Sequence, residues 1–149
     1  MNKRMFHAQQ GFSLVELAIG LAVVTILILA VSMSAGIRDN ARAQSAANSI
    51  ETLRCATESY LATGRLNYTG IGIDALKTAK LLPDNFSGTA SNPWGGDFNV
   101  VANASNSTHF DIILSGLAKT DADKLTSFFN NSASSIAFDQ STSTWSVTF

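Results

Sequence analysis

The sequence predicts an α+β protein in which one long N-terminal helix packs on a four-stranded, largely antiparallel sheet. Three observations carry this expectation. An uncharged, proline-free apolar run occupies residues 17–37. It passes into a stretch where Ala43, Ala46, Ala47, Ile50, Leu53, Thr57, Tyr60 and Leu61 recur at three- and four-residue steps, the period of a helix with one buried face. The last third then alternates with period two in four runs: Phe98-Val100-Ala102, Phe110-Ile112-Leu114, Ile136-Phe138 and Trp145-Val147-Phe149.

Taken in order, Met1 to Gly11 is polar, carries Lys3 and Arg4, and has no acidic residue. The apolar run that follows is long enough to span a bilayer as a helix. The basic residues before it predict a cytoplasmic N-terminus. An ordinary secretory signal peptide is the plainer reading of such a start, but its apolar core is usually about 7–15 residues. A plain single-span anchor is a further alternative. With the periodic stretch, the helix reaches about 50 residues, roughly 75 Å at 1.5 Å per residue. Such a length makes sense if half of it packs among other copies. Ala, Ser and Gly are frequent along residues 30–49, as where helices approach closely. Glu51, Arg54 and Glu58 form an ion-pairing ridge, and Gly64 is the expected stop. Cys55 falls opposite the apolar stripe, where it reads as a small residue at a helix contact.

Residues 64–96 read as an ordered connector. Asp74 to Leu82 forms a short amphipathic helix ended by Pro83, and Asn92-Pro93-Trp94-Gly95-Gly96 forms a turn into the first strand. Between the second and third strands, Thr120 is the expected N-cap of a helix with Asp121 and Asp123 in its first turn. Leu125, Phe128 and Phe129 supply its apolar side.

Composition narrows the function. Ten basic and eleven acidic side chains give a net charge of −1; without Lys3 and Arg4, eight basic residues face the same eleven acids. A broad nucleic-acid footprint would need a basic patch, so no nucleic-acid site is inferred. Cys55 is the single cysteine and cannot form an intramolecular disulfide. Of two histidines, His7 lies in the basic leader and His109 reads as a surface residue at a strand edge. No catalytic cluster, metal site or cofactor is expected, and Asn-x-Ser/Thr triplets are what Asn/Ser-rich loops produce by chance.

The most informative residues are Gly11-Phe12-Ser13-Leu14-Val15-Glu16. They place one carboxylate at the head of a membrane-grade helix, where it costs about 2.5–3.5 kcal/mol on insertion scales and so marks a functional site. This stretch resembles the N-terminus of type IV prepilins. The resemblance implies a leader, residues 1–11, cut by a prepilin peptidase between Gly11 and Phe12, followed by N-methylation of Phe12. It also implies that Glu16 pairs with the N-terminal amine of a neighbouring subunit during assembly. Residues 12–37 would then be the transmembrane and filament-core segment and residues 38–149 the soluble head of a ladle-like pilin fold.

The second half is similar to the type IVb pilins (bundle-forming, toxin-coregulated and thin conjugative pilins). The similarity lies in Leu82-Pro83-Asp84-Asn85-Phe86, in Asn92 to Val100 and in Phe110 to Leu117. Three departures stand out. Ala122 occupies the place of a disulfide-bonded Cys, so Trp145 and Phe149 are expected to pack on the long helix in the staple's stead. The short leader and mature Phe12 are features of type IVa pilins. Met33 stands where many of those have a Pro, so any local melting would arise around Thr25, Ser32, Ser34 and Gly36.

The resemblance thus implies a non-enzymatic structural subunit, self-assembling into a surface filament after insertion in the inner membrane. Its partners would be other copies, the prepilin peptidase and the inner-membrane assembly platform. A type II secretion pseudopilin or minor pilin is the nearest alternative. The Trp94-Gly95-Gly96-Asp97 stretch is similar to the calcium loop of major pseudopilins, although Asp97 is one hard ligand where Ca²⁺ takes six to eight oxygens. A membrane-tethered periplasmic binding or enzymatic domain is the second alternative.

Overall fold

The computed structural model describes residues 13–149, without the side chains of Met33, Ser34 and Ala35. Its elements in order are α1 (Leu14–Leu61), α2 (Ile73–Thr78), β1 (Phe98–Ala102), β2 (Phe110–Ser115), α3 (Lys119–Phe129), β3 (Ser135–Asp139) and β4 (Thr144–Thr148). The α+β architecture read from the sequence, a long N-terminal helix on a four-stranded antiparallel sheet, is the one observed. The chain divides into two compact units, which meet at Arg38 and Asp39.

In the first unit, every described side chain from Ser13 to Arg38 is exposed. Leu14, Leu21 and Val31 are each 70% or more exposed. A helix apolar on all sides belongs in lipid or inside a larger assembly. Its 18-residue window of highest mean hydropathy, 2.8, makes α1 long and apolar enough to cross a membrane. The Thr25 and Ser32 hydroxyls suit that setting, because both have an acceptor within the helix. Thr25 Oγ1 donates to Leu21 O at 2.8 Å and Ser32 Oγ to Ile28 O at 2.9 Å.

In the second unit, the apolar stripe of α1 becomes the floor of the core. Ala43, Ala46, Ala47, Ile50, Leu53, Ala56, Thr57 and Tyr60 are buried, and Gln44, Asn48, Thr52 and Ser59 face outward. The Glu51–Arg54–Glu58 ridge is present, with Arg54 Nε 2.8 Å from Glu58 and Nη1 3.9 Å from Glu51. Being half exposed, these pairs contribute little to stability. The helix ends as Gly64 N–H and Arg65 N–H both donate to Leu61 O, with Gly64 at φ +91°.

The sheet order is β1-β2-β4-β3, with every neighbouring pair antiparallel. The last strand therefore lies inside the sheet, and β2 and β3 run parallel on either side of it. Joining them requires a crossover, which α3 supplies. The inward positions of β1, β2 and β4 (Phe98, Val100, Phe110, Ile112, Leu114, Trp145 and Val147) are buried, while edge strand β3 contributes only the half-buried Ile136 and Phe138. The outward face carries a hydrogen-bonded chain across β3, β4 and β2 to Asn103, the residue after β1. Ser135 Oγ donates to Thr148 Oγ1, Thr148 Oγ1 to Asp111 Oδ1, and Asn103 Nδ2 to the same carboxylate, over 2.7–3.2 Å.

Two local expectations are corrected. The helix from Asp74 is shorter than its apolar pattern: α2 stops at Thr78, before Pro83, because Lys80 turns the chain at φ 60°. Thr120 is not the N-cap of α3. Ala118 holds that place without a side-chain bond, and Asp123 instead pairs with Lys119 one turn earlier, at 2.8 Å. Trp145, which shares the buried core with the α1 stripe, has its indole paired on α3. Its Nε1 donates to Thr126 Oγ1 at 3.1 Å and its ring lies 6.0 Å from that of Phe129. Phe149 does lie against α1, with the Arg54 guanidinium 4.5 Å from its ring centroid.

The turn into β1 is organised by Asn92, which is buried. Its Oδ1 accepts the Trp94 and Gly96 N–H groups, and its Nδ2 donates to Ser115 O at 2.8 Å. Gly96 is fixed by space: a Cβ there would lie 2.0 Å from Ser115 O and 2.6 Å from its carbonyl carbon. Gly96→Ala is expected to lower unfolding stability by about 2–3 kcal/mol, read from urea denaturation of the detergent-solubilised chain. Thr57 is fully buried and its hydroxyl has no hydrogen-bond partner among the described residues. Thr57→Val removes that orphan at nearly constant shape and is expected to stabilise by about 1 kcal/mol in the same assay.

Candidate assembly site

The start of α1 is built by three consecutive contacts. Leu17 N–H donates to Ser13 O at 3.1 Å, which opens the helical ladder. Val15 N–H donates to Ser13 Oγ at 3.2 Å. Ser13 N–H in turn donates to Glu16 Oε2 at 3.0 Å. This is a capping box: the Ser side chain covers one of the helix's unpaired N–H groups, and the Glu three residues on covers the N–H of the cap itself. The Ser13-x-x-Glu16 spacing is a legible signal for it, yet the sequence reading used Glu16 alone and passed over Ser13.

The box has two consequences for Glu16. Its carboxylate folds back over the first turn, where negative charge is stabilised by the helix dipole. It also has spare capacity, because an ionised carboxylate offers about four acceptor positions and Ser13 uses one. Among the described residues no cation partners Glu16. The carboxylate is therefore fixed in direction, exposed, and set at the head of a helix with no other charge up to Ile37.

One turn beyond Glu16, the helix surface has an open groove of about 410 Å³ lined by Glu16, Leu17, Gly20, Leu21 and Val24. Gly11 and Phe12, the processing and methylation positions expected from the sequence, lie outside the described residues.

Other sequence candidates resolve into ordinary roles. Asp97 Oδ1 accepts the Ala90 N–H at 2.7 Å and its N–H donates to Ser115 Oγ, so this carboxylate closes its own loop. Among the described residues no group of three or more His, Cys, Asp or Glu is placed to hold a metal. His109 is half-buried beside Thr108 Oγ1. Cys55, expected at a helix contact, is exposed instead, in a shallow groove with Ala56 and Leu81.

The chain carries the prokaryotic N-terminal methylation motif, matched over residues 6–32. The match takes in the capping box and most of the apolar run, and it stops before the second unit, residues 39–149. No curated protein matches the chain. The motif supports a type IV pilin-like protein, a group that includes pseudopilins, and with the apolar helix it supports membrane anchoring. It implies processing by a prepilin peptidase and contact with a membrane assembly machinery, and it suggests a structural rather than a catalytic role.

Ser13→Ala is expected to weaken the first turn by about 1 kcal/mol, seen as faster amide exchange at Ser13 and Val15 in detergent micelles. Ser13→Thr retains the cap and is expected to exchange like wild type.

Proposed function

We propose that this chain is the structural subunit of a type IV pilus with a type IVb-like head. On this reading the leader 1–11 is removed after Gly11, Phe12 becomes the N-methylated first residue, residues 12–37 anchor the subunit in the inner membrane, and residues 38–149 form the head. Subunits then leave the membrane and polymerise into a surface filament, with α1 at its centre.

The observation that carries this reading is Glu16 itself. A lone ionised carboxylate in an apolar surrounding is costly, and an ammonium partner offsets that cost. Cleavage after Gly11 creates such an ammonium on every subunit, four residues from the carboxylate in sequence. A neighbour's amine at Glu16 satisfies both charges and selects one axial register between two otherwise featureless apolar helices. The same contact operates in a pseudopilin fibre, so the fate of the filament separates the two.

Sheared surface material is expected to contain filaments whose subunit begins with methylated Phe12, by electron microscopy and mass spectrometry. Membrane-retained subunits with no surface filament, together with calcium-dependent melting of the protein, would instead identify a pseudopilin. Gly11→Leu is expected to leave full-length precursor, and normal cleavage of that variant would remove the prepilin reading. Glu16→Ala is expected to be cleaved and inserted but to yield at least tenfold fewer filaments.

A further inference from the structure

We propose that the open edge of β3 pairs with the same edge of a second copy of this chain, in antiparallel register about Ala137. The contact lies wholly within residues 39–149, so it stands apart from the docking assigned to Glu16.

The bonding pattern of the sheet identifies the open edge. Phe110 and Phe149 exchange N–H···O bonds of 3.3 and 3.0 Å, so the peptide groups of Phe149 face β2. Facing alternates along an antiparallel strand, which turns Val147 and Trp145 to β2 and Thr148, Ser146 and Thr144 to β3. The β3 partners of those residues are Ser135, Ala137 and Asp139. Ile136 and Phe138 therefore direct their N–H and C=O groups away from β4. Among the described residues, no hydrogen bond reaches these groups.

The other edge of the sheet is closed. Asn103 N–H donates to His109 O and Ser115 N–H to Asp97 O, so Asn99 and Val101 bond to β2 while Phe98 and Val100 face outward. There Phe98 N–H donates to Gly88 O at 2.7 Å, and Val100 is fully buried. With β2 and β4 interior, β3 is the strand among the described residues that has free ladder groups to offer.

Edge strands are commonly blunted by Lys, Pro, a bulge or a covering segment. Ser134 supplies a bulge at one end, where its N–H donates to Thr148 O at 2.8 Å beside the Ser135–Thr148 pair. From Ser135 to Asp139 there is no Lys and no Pro, and Ser135, Ala137 and Asp139 are exposed. Ile136 and Phe138 are half-buried, so each leaves part of its surface uncovered.

The free groups of this edge are complementary to themselves. Two β3 strands centred on Ala137 place Ile136 of each opposite Phe138 of the other. Those are the residues with free groups, so every outward N–H and C=O in the pair finds a partner. Sliding by one residue sets Ile136 against Ala137, whose groups already face β4. Sliding by two carries one end of the ladder beyond β3. The side chains agree with the centred register. Ile136 lies beside Phe138 of the second copy on the core face, an aliphatic–aromatic cross-strand pair. On the outward face Ala137 meets Ala137, small enough for the strands to close. Asp139 meets Ser135, so no like charges are opposed.

The test uses the full-length chain in membranes of the cells that express it, under mild oxidation. Opposed Ala137 residues form a non-hydrogen-bonded pair, with Cα atoms about 4.5 Å apart and within disulfide reach. With Cys55→Ala in place, Ala137→Cys is expected to give a disulfide-linked dimer roughly tenfold faster than native Cys55 does in the unaltered chain. In the same background, Ser135→Cys and Asp139→Cys chains are expected to link to each other when co-expressed, and neither to itself. Ala137→Lys, an exposed change that opposes two like charges, is expected to slow that mixed link about tenfold with an unchanged urea midpoint. Four results overturn the pairing: Ala137→Cys linking no faster than Cys55, Ser135→Cys linking to itself as fast as Ala137→Cys, no effect of Ala137→Lys, or adducts with another polypeptide in place of the dimer.

Discussion

From Leu14 to Ile37, α1 presents large apolar side chains on every face and a single charge at its head. Water is a poor solvent for such a surface, so the segment needs lipid, other copies of itself, or each in turn. Everything distinctive about the start of the chain answers to that constraint. The hydroxyls of Thr25 and Ser32 bond to their own helix, and the first turn is closed by Ser13 and Glu16 rather than by solvent. The Glu16 carboxylate keeps capacity for a partner, which is why the proposed function turns on it.

The second unit meets a different problem, which is holding a small domain together without a disulfide. The C-terminal strand β4 is interior to the sheet, so the end of the chain is paired on both sides. Its side chains then tie the layers together. Trp145 reaches α3 through Thr126 and Phe129, and Phe149 joins Phe110, Phe129 and the Arg54 side chain of α1. Ala122 is fully buried within this cluster. Aromatic packing of this kind acts on the folded state, whereas a disulfide acts mainly by restricting the unfolded chain.

The observed cap and the proposed docking use the same carboxylate without conflict. The cut after Gly11 lies one peptide bond before Ser13, so the Ser13 N–H remains an amide and the box outlasts processing on the proposed route. Glu16 would then meet its partner already oriented, and the proposed contact would carry little ordering cost for that side chain.

Much of this protein was legible in its sequence because periodicity survives translation into structure. The stripe from Ala43 to Tyr60 and the alternation at Phe110-Ile112-Leu114 each record which face is buried, and burial is what selects those residues. The lone Glu16 was equally plain, since a charge before an uncharged helix has no bland explanation. Capping and pairing were harder to read. Thr120 has the composition of an N-cap but lies inside α3, because the positive φ of Gly116 and the buried Leu117 start the helix earlier. The tie of Trp145 to α3 was not legible, because β4's place in the strand order depends on contacts far apart in sequence. The chain alone therefore determined the apolar helix, its charged head, and the helix-on-sheet class, all local consequences of residue type and spacing. Tertiary structure decided the strand order and the Asn92–Gly96–Ser115 lock, since each depends on which distant atoms approach.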